Sequence, residues 1–266
     1  MARDFLRETM RVYPRLPSYA MWRAIELRLL SRVDFAEPVL DVGCGEGEFA
    51  RMLLGAQKEV VGLDLANNAL RQARALSARV IKADATRLPF SDACFGSALS
   101  NCVLEHIPDD VAVVAEMGRV LKPGGVAAIT VPSPGLKEHL YPYQKLRAEG
   151  REAEAAEYLE EFDSRLAHLH YRTEAEWREI FTAGGFSEVT LTPYLPAATV
   201  AVWSRLETSL MQPVAAVKHW KLLAFALVPP VVRRAALYRL LRKHYLRDPR
   251  PGEPHGAWMV VGRKAR

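Results

Sequence analysis

The feature that most constrains this 266-residue sequence is a glycine-rich turn within residues 39–50, which read VLDVGCGEGEFA. An apolar run that ends in an acid precedes the turn, and a short helical pattern follows it. Glycines at alternate positions allow the positive φ angles that bring backbone amides close to a ligand. The N-terminus of the following helix adds unpaired N–H groups and a partial positive charge. The pattern therefore predicts a nucleotide-cofactor turn between a buried strand and a helix.

The segments around this turn alternate between short apolar runs and helical patterns. Strands are predicted at 38–42, 59–64, 79–84, 94–100 and 125–131, and helices at 17–33, 48–54, 67–77 and 109–121. This alternation is typical of βαβ units and predicts an α/β fold with a parallel sheet. Right-handed crossovers place the carboxyl ends of parallel strands at one edge, where ligands bind. We therefore expect four polar residues at strand ends to face one cleft: Asp41, Asp64, Asp84 and Asn101.

Two segments interrupt the rhythm after the fifth strand. Residues 132–172 hold prolines, tyrosines and an acid-rich helical run, and we expect them to form a lid over a substrate pocket. A capping box at Thr173 and Glu176 then predicts a helix over 174–183, followed by strands at 186–194 and 257–262. The predicted organisation is one domain over 1–266, made of a helical cap, a cofactor core, the lid and a basic helical insertion: 1–35, 36–131, 132–172 and 195–256.

The glycine spacing disfavours a nicotinamide dinucleotide. The dinucleotide pattern requires a third glycine at position 48, where this chain has Glu48. A side chain there would crowd the helix–strand contact, and its charge would face a pyrophosphate. Asp41, two residues before the first glycine, suits a ligand that carries an ammonium group instead.

Five motifs resemble those of a known family. LDVGCGEGEFA, VVGLDLANNAL, ADATRLPF, SNCVLEH and RVLKPGG are similar, in this order, to the motifs of class I S-adenosylmethionine-dependent methyltransferases. The likeness is to the broad small-molecule group, methyltransferase type 11-like, that includes ubiquinone-pathway enzymes. It covers residues 36–131, and more loosely 173–194 and 257–264. It implies a Rossmann-like, doubly wound seven-stranded sheet, mostly parallel with an antiparallel last strand and helical insertions, and S-adenosylmethionine as cofactor.

The resemblance also implies a role for each cofactor residue. The methionine part of the cofactor would contact the turn and the acid before it: Asp41, Gly43, Cys44, Gly45 and Gly47. Asp64 would accept both ribose hydroxyls, which suits the two oxygens of a carboxylate. The adenine would contact Leu65, Asp84 and the amide of Ala85, and Asn101 would lie near the sulfonium.

Methyl transfer from a sulfonium is an in-line displacement, in which alignment can supply about 7–11 kcal/mol of the barrier reduction. A hydroxyl acceptor also gains from a general base. The candidates for this base are His106, His168 and His170, with His139 as a further histidine of the lid.

No metal site is predicted from the sequence. In ubiquinone-pathway O-methyltransferases a Glu-x-x-Glu-His motif in this place carries a divalent metal. Here Cys102 replaces the first glutamate, and losing a carboxylate weakens such a site.

A basic segment distinguishes the C-terminal third from the rest of a chain whose net charge is +5. Between 218 and 250 stand nine Lys or Arg against one acid, interleaved with apolar residues and broken at Pro229 and Pro230. Two short amphipathic helices of this kind can lie on an anionic membrane surface, which we expect through residues 199–247. Packing on the domain or on a second subunit is the alternative.

The predicted function is transfer of a methyl group to a small-molecule or lipid-like acceptor, with a hydroxyl favoured. An RNA methyltransferase is the first alternative, but a nucleic acid partner is not expected because no RNA-binding module or NPPY-type tetrad is present. A non-catalytic S-adenosylmethionine-binding module is the second. Three scattered cysteines and a start without an apolar signal region predict a cytoplasmic protein, peripheral on the inner membrane face if the membrane expectation holds.

Overall fold

The structure, a computed structural model, describes residues 3–76, 79–211 and 229–266. Its strands form a seven-stranded sheet in the order β3-β2-β1-β4-β5-β7-β6. Their bounds are Val39–Val42, Val60–Asp64, Arg79–Lys82, Phe95–Asn101, Leu121–Pro132, Phe186–Pro196 and His255–Lys264 for β1 to β7. Strands β1 to β5 pair in parallel, and β7 runs antiparallel to β5. The predicted fold class is confirmed.

The helices follow the predicted pattern in the core and add elements outside it. Their bounds are Phe5–Val12, Pro17–Leu30, Glu48–Leu54, Asn67–Leu76, Asp110–Val120, Gly135–Glu138, Tyr141–Ala148, Glu152–Leu166, Glu174–Ala183, Ala197–Met211 and Pro230–Tyr245, numbered α1 to α11, with a 3-10 turn at Leu104–His106. The capping box before α9 is present, because the Thr173 hydroxyl accepts from the Glu176 amide and the Glu176 carboxylate accepts from the Thr173 amide. Helices α3 and α9 have the predicted bounds.

The chain divides into two compact units. The smaller unit comprises Met1–Glu26, Gly135–Glu160 and Leu195–Gly256, and the larger comprises Leu27–Pro134, Glu161–Tyr194 and Ala257–Arg266. The smaller unit is therefore built mainly from the segments predicted as cap, lid and insertion. The predicted lid, residues 132–172, is divided between the two units, since residues 161–172 belong to the larger unit.

The core of the larger unit lies between the sheet and helices α5 and α9. Apolar side chains of the buried strands, such as Leu40 and Ile129, pack with Met117 of α5 and with Trp177 and Phe181 of α9. Burying such side chains contributes about 1.5–3 kcal/mol each. This packing fixes the strands in register and leaves their carboxyl ends to carry the site.

Side-chain contacts join the helices of the smaller unit. The indole rings of Trp22 in α2 and Trp203 in α10 meet edge to face at 4.8 Å. Ser18 donates to Glu207 at 2.6 Å, and Ser204 accepts from the Tyr141 amide at 2.8 Å.

The basic insertion is described only in part. Helix α11 begins at the second of the two prolines, where the missing N–H and fixed φ of proline suit a first turn. The other predicted amphipathic helix falls within 212–228, outside the described residues. Within the three described stretches, no helix combines the length and apolar character needed to cross a membrane.

Candidate active site

The glycine turn after β1 takes left-handed backbone angles at each of its glycines. The φ values are +72° at Gly43, +51° at Gly45 and +81° at Gly47. A Cβ built on Gly43 would lie 2.4 Å from a methyl carbon of Val103, so both the backbone angle and the space require glycine there. Each glycine of the turn thus has the positive φ that the sequence predicted.

Hydrogen bonds tie this turn to the end of β2. The amides of Gly43 and Cys44 donate to the Leu63 carbonyl at 2.7 and 2.9 Å. One carboxylate oxygen of Asp64 accepts from the Gly45 amide at 2.9 Å, and the other accepts from the Ala66 amide at 2.8 Å. Asp64 is therefore held in place by two backbone amides beside the turn.

A cavity of about 470 Å³ opens beside Asp64. Its wall includes five of the predicted cofactor residues, Gly43, Asp64, Leu65, Asp84 and Ala85. The volume lies in the range of small-ligand sites, about 300–1,000 Å³.

Two side chains of this wall, Leu65 and Asp84, are suited to contact a ligand. Leu65 is 61% exposed, which leaves a large apolar side chain ready to be covered. Asp84 accepts hydrogen bonds from the amide and the hydroxyl of Thr86, and these bonds lower the pKa of its carboxyl. Asp84 is therefore an ionised acceptor at neutral pH.

Asp41 lies on the wall of another cavity, which it shares with residues of the glycine turn. Asp41 is buried, and this second cavity, of about 310 Å³, is lined also by Cys44 and Gly47. Burial, with a smaller contribution from the charge of Asp64, raises the pKa of Asp41 to about 7. Burial likewise raises the pKa of the Cys44 thiol to about 12, so this thiol stays protonated at neutral pH.

Asn101 ends β4, and its side-chain amide donates a short hydrogen bond to the Thr130 hydroxyl. The next residue, Cys102, has a φ of +51°, which is unusual for a residue with a side chain. Neither residue lines the two cavities above. Of the four strand-end side chains predicted to converge, Asp64 and Asp84 thus line the 470 Å³ cavity, Asp41 lines the 310 Å³ cavity beside the glycine turn, and Asn101 lines neither.

His106 lies on the wall of the 470 Å³ cavity, apart from the predicted cofactor residues in sequence but close to them in space. Its Nδ1 lies 3.1 Å from the Ala167 carbonyl, and an oxygen can only accept, so Nδ1 carries the proton in the neutral ring. Its Nε2 lies 3.9 Å from a carboxylate oxygen of Glu105, which is only 3% exposed. Nε2 is therefore the nitrogen that can accept a proton.

His168 is oriented by a short chain of hydrogen bonds. Its Nδ1 lies 2.8 Å from the Tyr171 hydroxyl, which donates to Asp163 at 2.6 Å. Burial and the Asp163 hydrogen bond raise the pKa of Tyr171, so its hydroxyl stays protonated. The rings of His168 and His106 have centroids 5.2 Å apart.

His170, the third candidate base, does not line the 470 Å³ cavity. Its Nε2 lies 3.0 and 3.1 Å from the carbonyls of Ile107 and Pro108, so this nitrogen must be a donor. Nearby, Arg172 makes a bidentate ion pair with the buried Asp110, with both contacts at 2.6 Å. These contacts fasten residues 168–172 to the segment that carries His106.

Glu105, His106 and His168 form a group of metal-type ligands among the described residues. One ligand atom from each lies within 4.8 Å of the others. The same atoms can share protons among themselves without an ion, and the absence of a metal remains a prediction. The sequence placed Glu105 and His106 side by side, but nothing in their spacing located His168 opposite them.

Three of the site's contributors were missed from the sequence. Thr86 was absent from the predicted set, and so was the pair formed by Tyr171 and Asp163 as the support of His168. The spacing of Asp84 and Thr86, two residues apart at a turn, is a signal that could have found the first. The second depends on packing between distant segments.

Comparison with known proteins supports the recognition made from the motifs. Residues 40–129 match the family model described as a methyltransferase domain. A demethylmenaquinone methyltransferase of Listeria welshimeri is 33% identical over 129 residues, which span 44% of this chain and 54% of that protein. A malonyl-[acyl-carrier protein] O-methyltransferase of Pseudescherichia vulneris is 36% identical over 117 residues, spanning 42% and 47%. The chain thus spans about half the length of the curated relatives it matches.

A solved structure agrees over nearly the whole chain. A SAM-dependent methyltransferase from Thermotoga maritima aligns with a TM-score of 0.59 and 17% identity, covering 98% of each chain. At this identity the likeness concerns the fold. With the motifs and the sheet order, the family match confirms the sequence prediction for the region that it covers: residues 40–129 form a class I S-adenosylmethionine-dependent methyltransferase domain.

Proposed function

We propose that this protein is an enzyme that transfers the methyl group of S-adenosylmethionine to a hydroxyl of a small-molecule or lipid-like acceptor. The observation that carries the proposal is the composition of the 470 Å³ cavity. Its wall combines the acids suited to the ribose and adenine, Asp64 and Asp84, with His106, a proton acceptor. A site that only bound the cofactor would not need the last of these.

The cofactor fits the residues present. Asp64 is fixed by two backbone amides and is suited to two ribose hydroxyls, and Leu65 offers an apolar surface to the adenine. Asp41, in the unbound protein a buried acid with a pKa of about 7, would meet the ammonium of the methionine part as its counter-charge. When bound, S-adenosylmethionine supplies an electrophilic methyl group and leaves as S-adenosylhomocysteine once the acceptor oxygen has taken that group.

His106 would receive the proton that the hydroxyl loses. Its Nδ1 is committed to the Ala167 carbonyl, so Nε2 is the accepting atom. The carboxylate of Glu105, 3.9 Å from Nε2, would stabilise the imidazolium that results. His168 stands beside this ring and would help to hold it in place or pass the proton outward.

The names of the two relatives suggest the class of acceptor. One is a demethylmenaquinone methyltransferase and the other a malonyl-[acyl-carrier protein] O-methyltransferase. Neither name is that of a nucleic acid methyltransferase, and this favours a small-molecule or lipid-like acceptor over RNA.

The basic insertion supports a second part of the proposal, a partnership with an anionic membrane surface. Helix α11 carries five basic residues and no acid: Arg233, Arg234, Arg239, Arg242 and Lys243. Basic residues near anionic lipid contribute about 1 kcal/mol each. We place the protein in the cytoplasm, at the inner membrane face, as part of the same proposal.

The test is incubation of the purified protein with methyl-labelled S-adenosylmethionine and separate lipid, polar and RNA extracts. We expect label in the lipid extract together with release of S-adenosylhomocysteine. His106→Gln should lower the turnover number by about 10²–10⁴-fold, the usual contribution of a general base. His170→Gln is the matched control, because that histidine does not line the 470 Å³ cavity. Label in RNA would indicate an RNA methyltransferase instead. Cofactor binding without turnover of any extract would indicate a non-catalytic S-adenosylmethionine-binding module.

A further inference from the structure

A groove separates the first and last helices of the smaller unit. Its walls are the end of α1 with the turn into α2 on one side and one face of α11 on the other. Its volume of about 920 Å³ lies at the upper end of the range for small-ligand sites. We call it the α1–α11 groove, and its lining includes Met10, Tyr13, Arg15, Arg233, Arg234 and Leu240.

Specific contacts hold the two walls together. The Tyr238 hydroxyl of α11 donates to a carboxylate oxygen of Asp4 at 2.6 Å. Asp4 also caps α1 by accepting from the Arg7 amide, and the Arg7 guanidinium lies 4.6 Å from the centre of the Tyr238 ring. The groove therefore has fixed walls, and a ligand would not have to order them.

Apolar side chains stand exposed along the groove. Val232 and Leu240 of α11, which both line the groove, are 53% and 47% exposed. Each leaves apolar surface in water that burial would stabilise by about 25 cal/mol per Å². Such surface concentrated along a groove marks a binding site.

The positive charge of the groove favours an anionic ligand. Three arginines, Arg15, Arg233 and Arg234, line it, and the described lining contains no acid. An occupant that matches both properties has an anionic head and a hydrocarbon chain. A folded protein partner fits less well, because the eleven described lining residues fall short of the roughly 20–30 that each side of a standard protein interface contributes.

We propose that the α1–α11 groove binds one anionic phospholipid drawn from the membrane surface. The phosphate lies at Arg15, Arg233 and Arg234, and an acyl chain covers the apolar floor between Tyr13 and Leu240. The inference rests on the proposed membrane partnership and gives it a site. That site includes α1, which lies outside the basic segment.

Monomeric lipid separates a groove from a charged surface. The probe is dihexanoyl phosphatidylglycerol, titrated below its critical micelle concentration by calorimetry, with dihexanoyl phosphatidylcholine and glycerol phosphate as comparators. We expect saturable binding of the first and none of the other two. The double variant Arg233→Gln/Arg234→Gln should weaken it at least tenfold, and Leu240→Ser should weaken it severalfold.

A matched control comes from the same helix. Arg239→Gln/Arg242→Gln removes the same charge at positions that do not line the groove, and we expect an affinity within about twofold of the unmodified protein. Equal losses in both double variants, or no binding of monomers by a protein that floats with phosphatidylglycerol vesicles, would overturn the groove and leave the membrane partnership standing. Binding of monomers without flotation would overturn the membrane partnership and leave the groove standing. Titration of S-adenosylmethionine into every variant shows that each is folded and keeps methyl transfer a separate question.

Discussion

Replacing Asp41 by asparagine should stabilise the protein without cofactor and weaken the protein's hold on the cofactor. Asp41 is buried, and its pKa is raised from 3.8 to about 7, first by burial and then by the charge of Asp64. A shift of about three units corresponds to about 4 kcal/mol, at 1.36 kcal/mol per unit. The ionised form of Asp41 is thus a cost in the folded state of the unliganded protein.

The sign of the pH dependence follows from the raised pKa. Well below the unfolded-state pKa of 3.8 the carboxyl is protonated in both states, and its ionisation contributes nothing. As pH rises, the unfolded state ionises first and the folded state resists, so stability falls until the pH passes about 7. Between pH 5 and pH 8 this one group should remove about 3 kcal/mol of the free energy of unfolding.

The assay is urea unfolding followed by circular dichroism at pH 5, 6, 7 and 8, with the free energy extrapolated to water. We expect Asp41→Asn to exceed the unmodified protein by about 4 kcal/mol at pH 8 and by less than half of that at pH 5. Asp34→Asn, at an exposed position, is the control and should leave the pH profile unchanged. Parallel profiles for Asp41→Asn and the unmodified protein would refute the reasoning.

The same substitution should weaken S-adenosylmethionine binding. An ammonium beside Asp41 favours the ionised carboxylate and lowers its pKa, so binding near pH 6.5 should release a fraction of a proton. Calorimetry in two buffers of different ionisation enthalpy measures that release. Asp41→Asn should bind more weakly and release none; an unchanged affinity would remove Asp41 from the cofactor site.

Three further predictions concern the turn, the support of the histidines and metal dependence. Gly43→Ala should abolish cofactor binding in calorimetry, because its Cβ would meet Val103 at 2.4 Å and its φ is +72°; normal affinity would contradict the turn's assigned role. Arg172→Ala should lower the free energy of unfolding by about 3 kcal/mol, since it strands the buried Asp110, and a change below 1 kcal/mol would show that the pair is dispensable. Prolonged chelation with EDTA should leave turnover unchanged, while loss that added divalent metal restores would place an ion at the group formed by Glu105 and its two histidines.

Local patterns were sufficient to predict the sheet and the glycine turn. Strand and helix periodicity act over a few neighbouring residues, and the left-handed turn needs only glycine at fixed positions. Asp64 follows from the same logic, because a side chain just past a parallel strand must lie at the ligand-binding edge. These elements could be predicted because the residues that determine each of them lie close together in the sequence.

Side-chain direction at the strand ends could not be predicted in the same way. Asp41 lies within its strand and faces the second cavity, whereas Asn101 is turned by a hydrogen bond to Thr130 on the neighbouring strand. The contact of Asn101 joins two strands that are distant in sequence, so it lies outside the local pattern.

The histidine group shows the same limit over a longer separation. His106 and His168 are brought together by contacts between segments about sixty residues apart, among them the Leu169 amide with the Glu105 carbonyl. Helix and strand periodicity in the sequence does not predict a contact of this kind. The ion pair of Arg172 with Asp110 belongs to the same set and was equally hidden.

The central claim is that the glycine turn and the acids after it form an S-adenosylmethionine site. Calorimetric titration of the purified protein with S-adenosylmethionine, with NADH as comparator and Asp64→Ala as the matched variant, tests it most directly. The account predicts saturable binding of S-adenosylmethionine at one site per chain, no binding of NADH, and loss of the signal in Asp64→Ala. Binding of NADH, or equal affinity in the variant, would contradict it.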